Sequence, residues 1–368
     1  MTARPARSLT SPRRRRTRTT ALALLSVAAL LVATGCASTS DSATTGVGEG
    51  GAGADAQPPT PPSGVTDFVE ATPGSGDGLT IGFTQLNLSV GFPQDVQASV
   101  EEEVKRAGAT LVTCDSQGDA AKALDCAKQF KVQGVDGLIT FQADTNAAPR
   151  ICDAGPDVPV MAVDIDQGPC QTSFVGAANE YAGELVGYNV GKYFYDNFDC
   201  EYDAFVSLES YAVGEVNDLR MGGIRKGFES VCGTIHDLKK IDTGAGGQAD
   251  EAQTNVTDTL TALPGADKVI VVGINEDVIL GALAAARTQG REDDLYLGVQ
   301  NFNPDNCTIY DAPHWLGSVA YFPEKYGQLL VPYLIKAMKG EDIPEELLVQ
   351  HEWVDADNAS EYYPDYSC

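Results

Sequence analysis

Polar and aromatic side chains recur directly after short apolar runs of the chain, and their types suit the recognition of hydroxyl groups. They are Gln85, Asn87, Phe92, Phe141, Gln142, Asp164, Asn275, Asn301 and Tyr321, with Glu209, Tyr211, Glu276 and Phe302 beside them. Amides donate and accept hydrogen bonds, a carboxylate accepts them from hydroxyl groups, and ring faces pack on C–H surfaces. If these side chains lie together, we expect them to bind a small hydroxyl-rich molecule.

The apolar runs before these residues have the length and spacing of buried strands. They span residues 79–83, 109–113, 137–140, 158–163, 204–208, 268–272 and 295–299. Helical patterns lie between them; Val96, Val100 and Val104, for example, recur at helical spacing before Gly108. Strands that alternate with helices predict an α/β fold with parallel sheets covered on both faces. Because ligands bind beyond the carboxyl ends of such strands, the polar residues should share one edge.

Residues 1–35 have the features of a secretory signal peptide. This segment contains seven arginines and no acidic residue. Within it, residues 21–33 are apolar except for Ser26 and form a stretch too short for a permanent membrane span. Residues 31–36 resemble a lipobox, so we expect an exported chain anchored to the outer face of the cell membrane through acylated Cys36. An ordinary signal peptide with a spare thiol is the alternative, and general and twin-arginine export both remain open.

Composition separates a linker from the folded part of the chain. Residues 36–77 consist mainly of Ser, Thr, Gly, Pro, Ala and Asp, which predicts a disordered linker behind the anchor. The remaining residues exceed one ordinary domain and suit two lobes. Without the seven arginines of the signal peptide, 18 Lys and Arg stand against 52 Asp and Glu. Such a surface repels polyanions, so nucleic acid is not an expected partner.

Nine cysteines predict disulfides rather than a metal site. With Cys36 as the anchor, an even set of eight remains in an exported chain. The simplest of the 105 possible connectivities is sequential: Cys114 to Cys126, Cys152 to Cys170, Cys200 to Cys232, and Cys307 to Cys368. The sequence contains no Cys-x-x-Cys pair and its three histidines are scattered. We therefore expect neither a metal nor a cofactor, while the connectivity stays open.

Over residues 79–349 the chain resembles the type I periplasmic sugar-binding proteins, the ribose-binding-like family. The similarity rests on residues 115–122, 134–139, 160–164, 178–183, 220–228 and 275–283. It implies a two-lobed fold in which each lobe is a parallel sheet flanked by helices, with three hinge crossings between the lobes. The implied first lobe is 78–176 plus 322–350, and the implied second lobe is 177–321 plus 351–368.

The resemblance also implies roles for individual residues. Phe92 would stack on the ligand from the first lobe and Asp164 would accept hydrogen bonds from its hydroxyl groups. Arg220 would donate from the second lobe, Asn275 would bind further hydroxyl groups, and Tyr321 would lie at the last hinge crossing.

Two departures from the family pattern concern ribose. Ile165 stands where ribose binders often have Arg, and Asn301 stands where they have Asp. Because a charged donor and a charged acceptor are lost, the preferred hydroxyl pattern should differ. Pentoses, hexoses, cyclic polyols and nucleoside-like ligands all remain open.

The function implied by the resemblance is capture of a sugar or polyol by hinge closure, followed by delivery to the permease of an ABC transporter. The protein would act as a monomer and not as an enzyme. One alternative is a sensor module that presents its ligand to a membrane receptor. Another is a sugar-processing enzyme that uses Asp164 and Glu209 as paired carboxylates.

Overall fold

The computed structural model describes residue 53 and residues 55–368, except residues 90, 143 and 245. The predicted signal peptide, Cys36 and the first part of the predicted linker lie outside the described residues. Within the described part of the chain, no helix combines the length and the apolar character needed to span a membrane.

Twelve strands and ten α-helices alternate along the described residues. The strands are β1 (Thr80–Gln85), β2 (Thr110–Asp115), β3 (Gly137–Thr140), β4 (Val160–Val163), β5 (Ser173–Ala177), β6 (Ala204–Glu209), β7 (Leu238–Asp242), β8 (Val269–Gly273), β9 (Leu295–Gln300), β10 (Trp315–Ala320), β11 (Glu346–Val349) and β12 (Glu352–Val354). The helices are α1 (Gly91–Ala107), α2 (Ala120–Gln133), α3 (Ala148–Ala154), α4 (Asn179–Phe198), α5 (Glu215–Cys232), α6 (Ala249–Ala262), α7 (Glu276–Gln289), α8 (Cys307–Tyr310), α9 (Gly327–Met338) and α10 (Ala359–Tyr362).

The strands form two six-stranded sheets, and each sheet is the centre of one lobe. The first lobe has the order β11-β5-β4-β3-β1-β2 and is parallel throughout. The second has the order β12-β10-β9-β8-β6-β7 and is parallel except for β12. The chain therefore passes between the lobes after β5, after β10 and after β11. The predicted fold class is confirmed.

Helices α4 and α5 of the second lobe pack backbone against backbone through a glycine seam, which consists of Gly183, Gly187, Gly223 and Gly227. A Cβ atom added at Gly183 would lie 2.2 Å from the carbonyl oxygen of Arg220, and one added at Gly187 would lie 1.9 Å from that of Ile224. Side chains at these positions would push the helices apart, because interiors are close-packed. The seam thus fixes the position of Arg220 relative to the start of α4.

The prediction of a disordered linker is wrong for residues 55–77. Val65 forms a parallel bridge with Leu348 on the edge strand β11, with two backbone hydrogen bonds of 2.9 Å. Farther along, Ala71 is buried and its N–H donates to the Glu103 carboxylate. Composition did not reveal this because the stabilising partner is a distant sheet edge with unpaired backbone groups. We call residues 55–71 the N-terminal strap.

Four disulfides join the eight cysteines of the folded part in the sequential pairs given above. Cys114–Cys126 and Cys152–Cys170 lie in the first lobe, and Cys200–Cys232 and Cys307–Cys368 lie in the second. Because each bridge closes within one lobe, none of the four restricts movement of the lobes about the crossings.

We expect the C-terminal bridge to stabilise the fold more than the shortest one. The double variant Cys307→Ser/Cys368→Ser opens a loop of 61 residues and should lower the free energy of unfolding by about 4 kcal/mol. The matched variant Cys114→Ser/Cys126→Ser opens a loop of 12 residues and should cost about 3 kcal/mol. Urea denaturation without reductant measures both losses, and an equal or reversed order would contradict the expectation.

Candidate ligand-binding cleft

A cavity of about 1440 Å³ lies between the two lobes. Three of the predicted site residues line it: Asp164 from the first lobe, and Arg220 and Asn275 from the second. The loop at 144–146 and the start of α4 complete much of its wall. A second depression of about 580 Å³ beside the Cys152–Cys170 bridge contains none of the predicted residues. The interlobe cleft is therefore the candidate site.

Asp164 follows β4 directly and has a left-handed backbone conformation, with φ of 53°. This conformation is uncommon outside glycine and is often found at functional sites. The hydroxyl group of Tyr326 donates to Oδ1 of Asp164 over 3.1 Å. Burial raises the pKa of Asp164 to about 6, although the charge of Arg220 and the Tyr326 hydrogen bond act in the opposite direction. At neutral pH the carboxylate is charged and can accept further hydrogen bonds from a ligand.

Arg220 is held from three sides on α5. Its Nε donates to Oδ1 of Asn179 over 2.7 Å, and its Nη1 donates to the carbonyl oxygen of Ile274 over 3.3 Å. The guanidinium carbon lies 4.9 Å from the centre of the Tyr321 ring, a distance typical of a cation–π contact. Because guanidinium has five N–H donors, donors remain for a ligand in the cleft.

Tyr321 supports Arg220 rather than lining the cavity. It is buried, and its hydroxyl group donates to Oε1 of Gln300 over 2.6 Å. Burial raises the pKa of this hydroxyl to about 12, so it stays protonated. Tyr321 lies immediately after β10, where its ring also packs edge-on against His351 at 4.6 Å. The structure thus places Tyr321 at the second of the three crossings, after β10, and not at the last one as expected.

An aromatic group in the first lobe adjoins Asp164. The Phe92 ring packs edge-on against Tyr326, with centroids 5.6 Å apart, and against Phe141 at 6.4 Å. Phe141 is buried and Phe92 is partly buried. The rings thus brace the tyrosine that holds Asp164, while stacking of Phe92 on a ligand stays a prediction.

Two predicted amides organise loops around the cleft. Gln142 is buried and bonds to the carbonyl oxygen and the N–H of Asp144, which lines the cavity, at 2.9 and 2.8 Å. Asn275 caps α7 by accepting from the N–H of Val278 and donates to the carbonyl oxygen of Gly246 over 2.8 Å. In this conformation both amides form their hydrogen bonds with other groups of the protein.

The other predicted amides lie outside the cavity lining. Asn87 accepts from the N–H of Ser89 over 3.0 Å. Asn301 donates to Glu276 over 2.7 Å, and burial raises the pKa of that glutamate. Among the described residues, Nε2 of Gln85 and Oδ1 of Asn301 are buried without a hydrogen-bond partner. Such groups are costly to leave unsatisfied, and contact of Gln85 or Asn301 with a ligand stays a prediction.

Sequence reasoning missed three residues that hold the site together: Tyr326, Asn179 and His351. Tyr326 bonds to Asp164 and Asn179 bonds to Arg220. Each partner is far away in the sequence, so no local spacing could reveal the contact. For Asn179 the only signal is its position at the start of a helix that follows a predicted strand run.

A single imidazole joins all three crossings between the lobes. His351, after β11, accepts from the N–H of Ala178, after β5, over 3.0 Å at Nε2. Its Nδ1 lies 3.1 Å from the carbonyl oxygen of Ala320, at the end of β10, and donates to it. Burial lowers the pKa of His351 to about 4, so the ring is neutral at physiological pH.

Known proteins share this architecture. The family described as a periplasmic binding protein domain matches residues 81–342, well over half of the 368-residue chain. The ribose import binding protein of Salmonella typhimurium (strain LT2) is 22% identical over 271 residues, which are 72% of this chain and 86% of that protein.

Two solved structures show the same fold. An ABC transporter solute binding protein from Mycobacterium smegmatis with bound glycerol has a TM-score of 0.64 and 23% identity, covering 77% of this chain and 96% of that one. An ABC transporter solute binding protein from Bacillus halodurans C-125 with bound myo-inositol has a TM-score of 0.63 and 21% identity, covering 79% of this chain and 99% of that one. The predicted resemblance is confirmed: the chain belongs to the periplasmic binding protein domain family.

Proposed function

We propose that this protein captures a neutral sugar or polyol outside the cytoplasm and delivers it to the permease of an ABC transporter. The observation that carries the proposal is that Asp164 and Arg220, from opposite lobes, line one cleft. A ligand that bonds to both is fully held only when the lobes are closed. Binding therefore shifts the population toward the closed form, which the permease would recognise.

The charge of the cleft disfavours an anionic ligand. Seven carboxylates besides Asp164 line it, on Asp144, Asp166, Glu180, Glu184, Glu215, Glu345 and Glu346. The ammonium group of Lys226, which also lines the cleft, is paired with Glu180 and Glu184. An acidic entrance repels phosphorylated sugars and sugar acids. The ligands named for the similar proteins, ribose, glycerol and myo-inositol, are uncharged.

The anchor and the lobe boundaries are part of the same proposal. Membership of a periplasmic binding protein family supports a location outside the cytoplasm. We propose that acylated Cys36 tethers the protein to the membrane, and that the protein acts as a monomer. The lobes would move as bodies made of 78–176 plus 322–350 and of 177–321 plus 351–368.

The enzyme alternative depends on a carboxylate pair that this geometry does not form. Glu209 is buried, bonded to Arg225 at 2.8 Å and contacted by the hydroxyl group of Ser207 at 3.0 Å. It does not line the cleft with Asp164 and is already neutralised. A sensor role uses the same binding step, and copurification of the protein with a permease or a receptor would separate the two.

A thermal-shift panel tests the proposal. Purified protein is screened against pentoses, hexoses, myo-inositol and glycerol, with ribose 5-phosphate and glucuronate as anionic comparisons. A true ligand at 100 times its Kd should stabilise the fold by about 2.7 kcal/mol, while the anions should give no shift. Mass spectrometry of the recovered ligand should find it unchanged. A panel in which only anions bind, or in which the sugar is converted, refutes the proposal.

A further inference from the structure

The N-terminal strap contacts both lobes and the edge of the cleft. On the second lobe, the hydroxyl group of Tyr188 on α4 donates to the carbonyl oxygen of Ala56 over 3.3 Å. On the first lobe, Val65 pairs with Leu348 of β11. Between these two attachments, Thr60 and Pro62 line the cleft. The strap therefore passes along the cleft from one lobe to the other.

The composition of the bridging segment makes it stiff. Residues 58–62 read Pro-Pro-Thr-Pro-Pro. Proline-rich segments adopt an extended polyproline II helix of about 3.1 Å per residue and act as semi-rigid spacers. A flexible segment could absorb a change in the distance between its attachments, whereas a stiff one transmits it.

The two attachments differ in strength. The first lobe holds the strap through the two backbone bonds at Leu348 and through packing of Phe68 edge-on against Phe322, with centroids 6.1 Å apart. Asp67 adds a hydrogen bond of 2.8 Å from Gln350. Phe322 and Gln350 lie in the second and third crossings. The second lobe contributes the longer hydrogen bond to Ala56, so opening of the cleft should release that end first.

We propose that the N-terminal strap is a fourth connection between the lobes, a strut that favours the closed cleft and forms part of its wall. The inference rests on the hinge closure of the proposed function. When the cleft opens, the attachment at Tyr188 is lost while the attachment at β11 persists. Release of the strap is then one step in the exit of the ligand.

The test measures the distance between the lobes of the full chain without ligand. Spin labels are attached to a ketone-bearing amino acid at Val132 on α2 and at Asp258 on α6, which are both exposed. Such labels avoid the eight bridged cysteines. Double electron–electron resonance then compares wild type with Tyr188→Phe and with a variant in which all four prolines of residues 58–62 are serine.

We expect a longer and broader distance distribution in both variants. Loss of one ordinary hydrogen bond in Tyr188→Phe should raise the ratio of open to closed molecules about 2- to 10-fold. Tyr193→Phe is the matched control, because its ring lies on the same helix but packs against Tyr296 at 6.0 Å. Distributions that superimpose on wild type for both strap variants overturn the inference. Since no ligand is present, this outcome is independent of the sugar panel.

Discussion

Replacing Asp164 by Asn should strongly weaken ligand binding and, at pH 7, make the unliganded protein harder to unfold. The side chain keeps an oxygen that accepts from Tyr326, but it loses the charge that strengthens bonds from ligand hydroxyl groups. Hydrogen bonds to charged groups contribute about 1.5–3 kcal/mol each, so the loss of two should weaken binding at least about 100-fold. Calorimetric titration with the ligand identified by the panel measures this loss.

The gain in stability follows from the raised pKa of Asp164. Because the folded state holds the proton more tightly than the unfolded chain, stability from this group is complete below the ordinary aspartate pKa of 3.8 and is lost as the pH rises through about 6. At pH 7 the charged carboxylate therefore lowers the free energy of unfolding of the wild type by about 2 kcal/mol, after allowance for solvent screening of this partly exposed group. The Asn variant lacks this loss. At pH 4 the two proteins should unfold almost alike.

Asp166→Asn is the matched control, since this carboxylate lies two residues away on the exposed rim of the cleft. It should change neither affinity nor stability by more than a small amount. If Asp164→Asn binds the ligand as wild type does, or unfolds more easily at pH 7, the assignment of Asp164 fails.

Replacing Gly183 by Ala should damage both stability and binding. The new methyl group would lie 2.2 Å from a backbone carbonyl that cannot rotate away, so α4 and α5 must separate. Overpacking of this kind costs about 1–3 kcal/mol and sometimes more. The carbonyl belongs to Arg220, whose bond to Asn179 crosses the same contact. We therefore expect weaker ligand binding even in molecules that remain folded.

Gly222→Ala, on the partner helix α5, is the control. No atom lies within 4 Å of the Cβ position at Gly222, so Ala should stabilise the helix by about 0.5–1 kcal/mol. Urea denaturation and ligand titration of the two variants compare the effects directly. Equal behaviour of the two Ala variants would show that the glycine seam does not position Arg220.

The central strands could be predicted because they are buried on both faces and read as continuous apolar runs. The run at 268–272, for example, forms β8 at Val269–Gly273. Of the four edge strands, β2 was predicted from the run at 109–113, whereas β7, β11 and β12 gave no such signal. In β7, Lys239 and Lys240 are exposed, as is common for edges that must not pair with other chains. The run at 158–163 begins its strand only at Val160, because Pro159 cannot donate to the ladder.

Site residues that directly follow a predicted strand could be found from the sequence, whereas those elsewhere in the chain could not. Asp164 and Asn275 follow buried runs and do line the cleft. By contrast, Tyr326 lies 162 residues from the aspartate that it contacts, so only the folded chain brings them together. Asn301 also follows a strand, but it turns to Glu276. Strand ends define the edge of the sheet, whereas the direction of each side chain depends on its neighbours.

The imidazole of His351 can make both of its hydrogen bonds at the crossings in only one tautomer. Nε2 must carry a lone pair for Ala178, and Nδ1 must carry the proton for Ala320. If Nε2 were also protonated, its N–H would face the N–H of Ala178, so two donors would meet where the three chain crossings lie together. With a pKa of about 4 in the fold and 6.5 outside it, this group contributes stability that is present above pH 6.5 and is lost as the pH falls through about 4. Acid should thus loosen the hinge itself while both disulfide-bonded lobes stay folded.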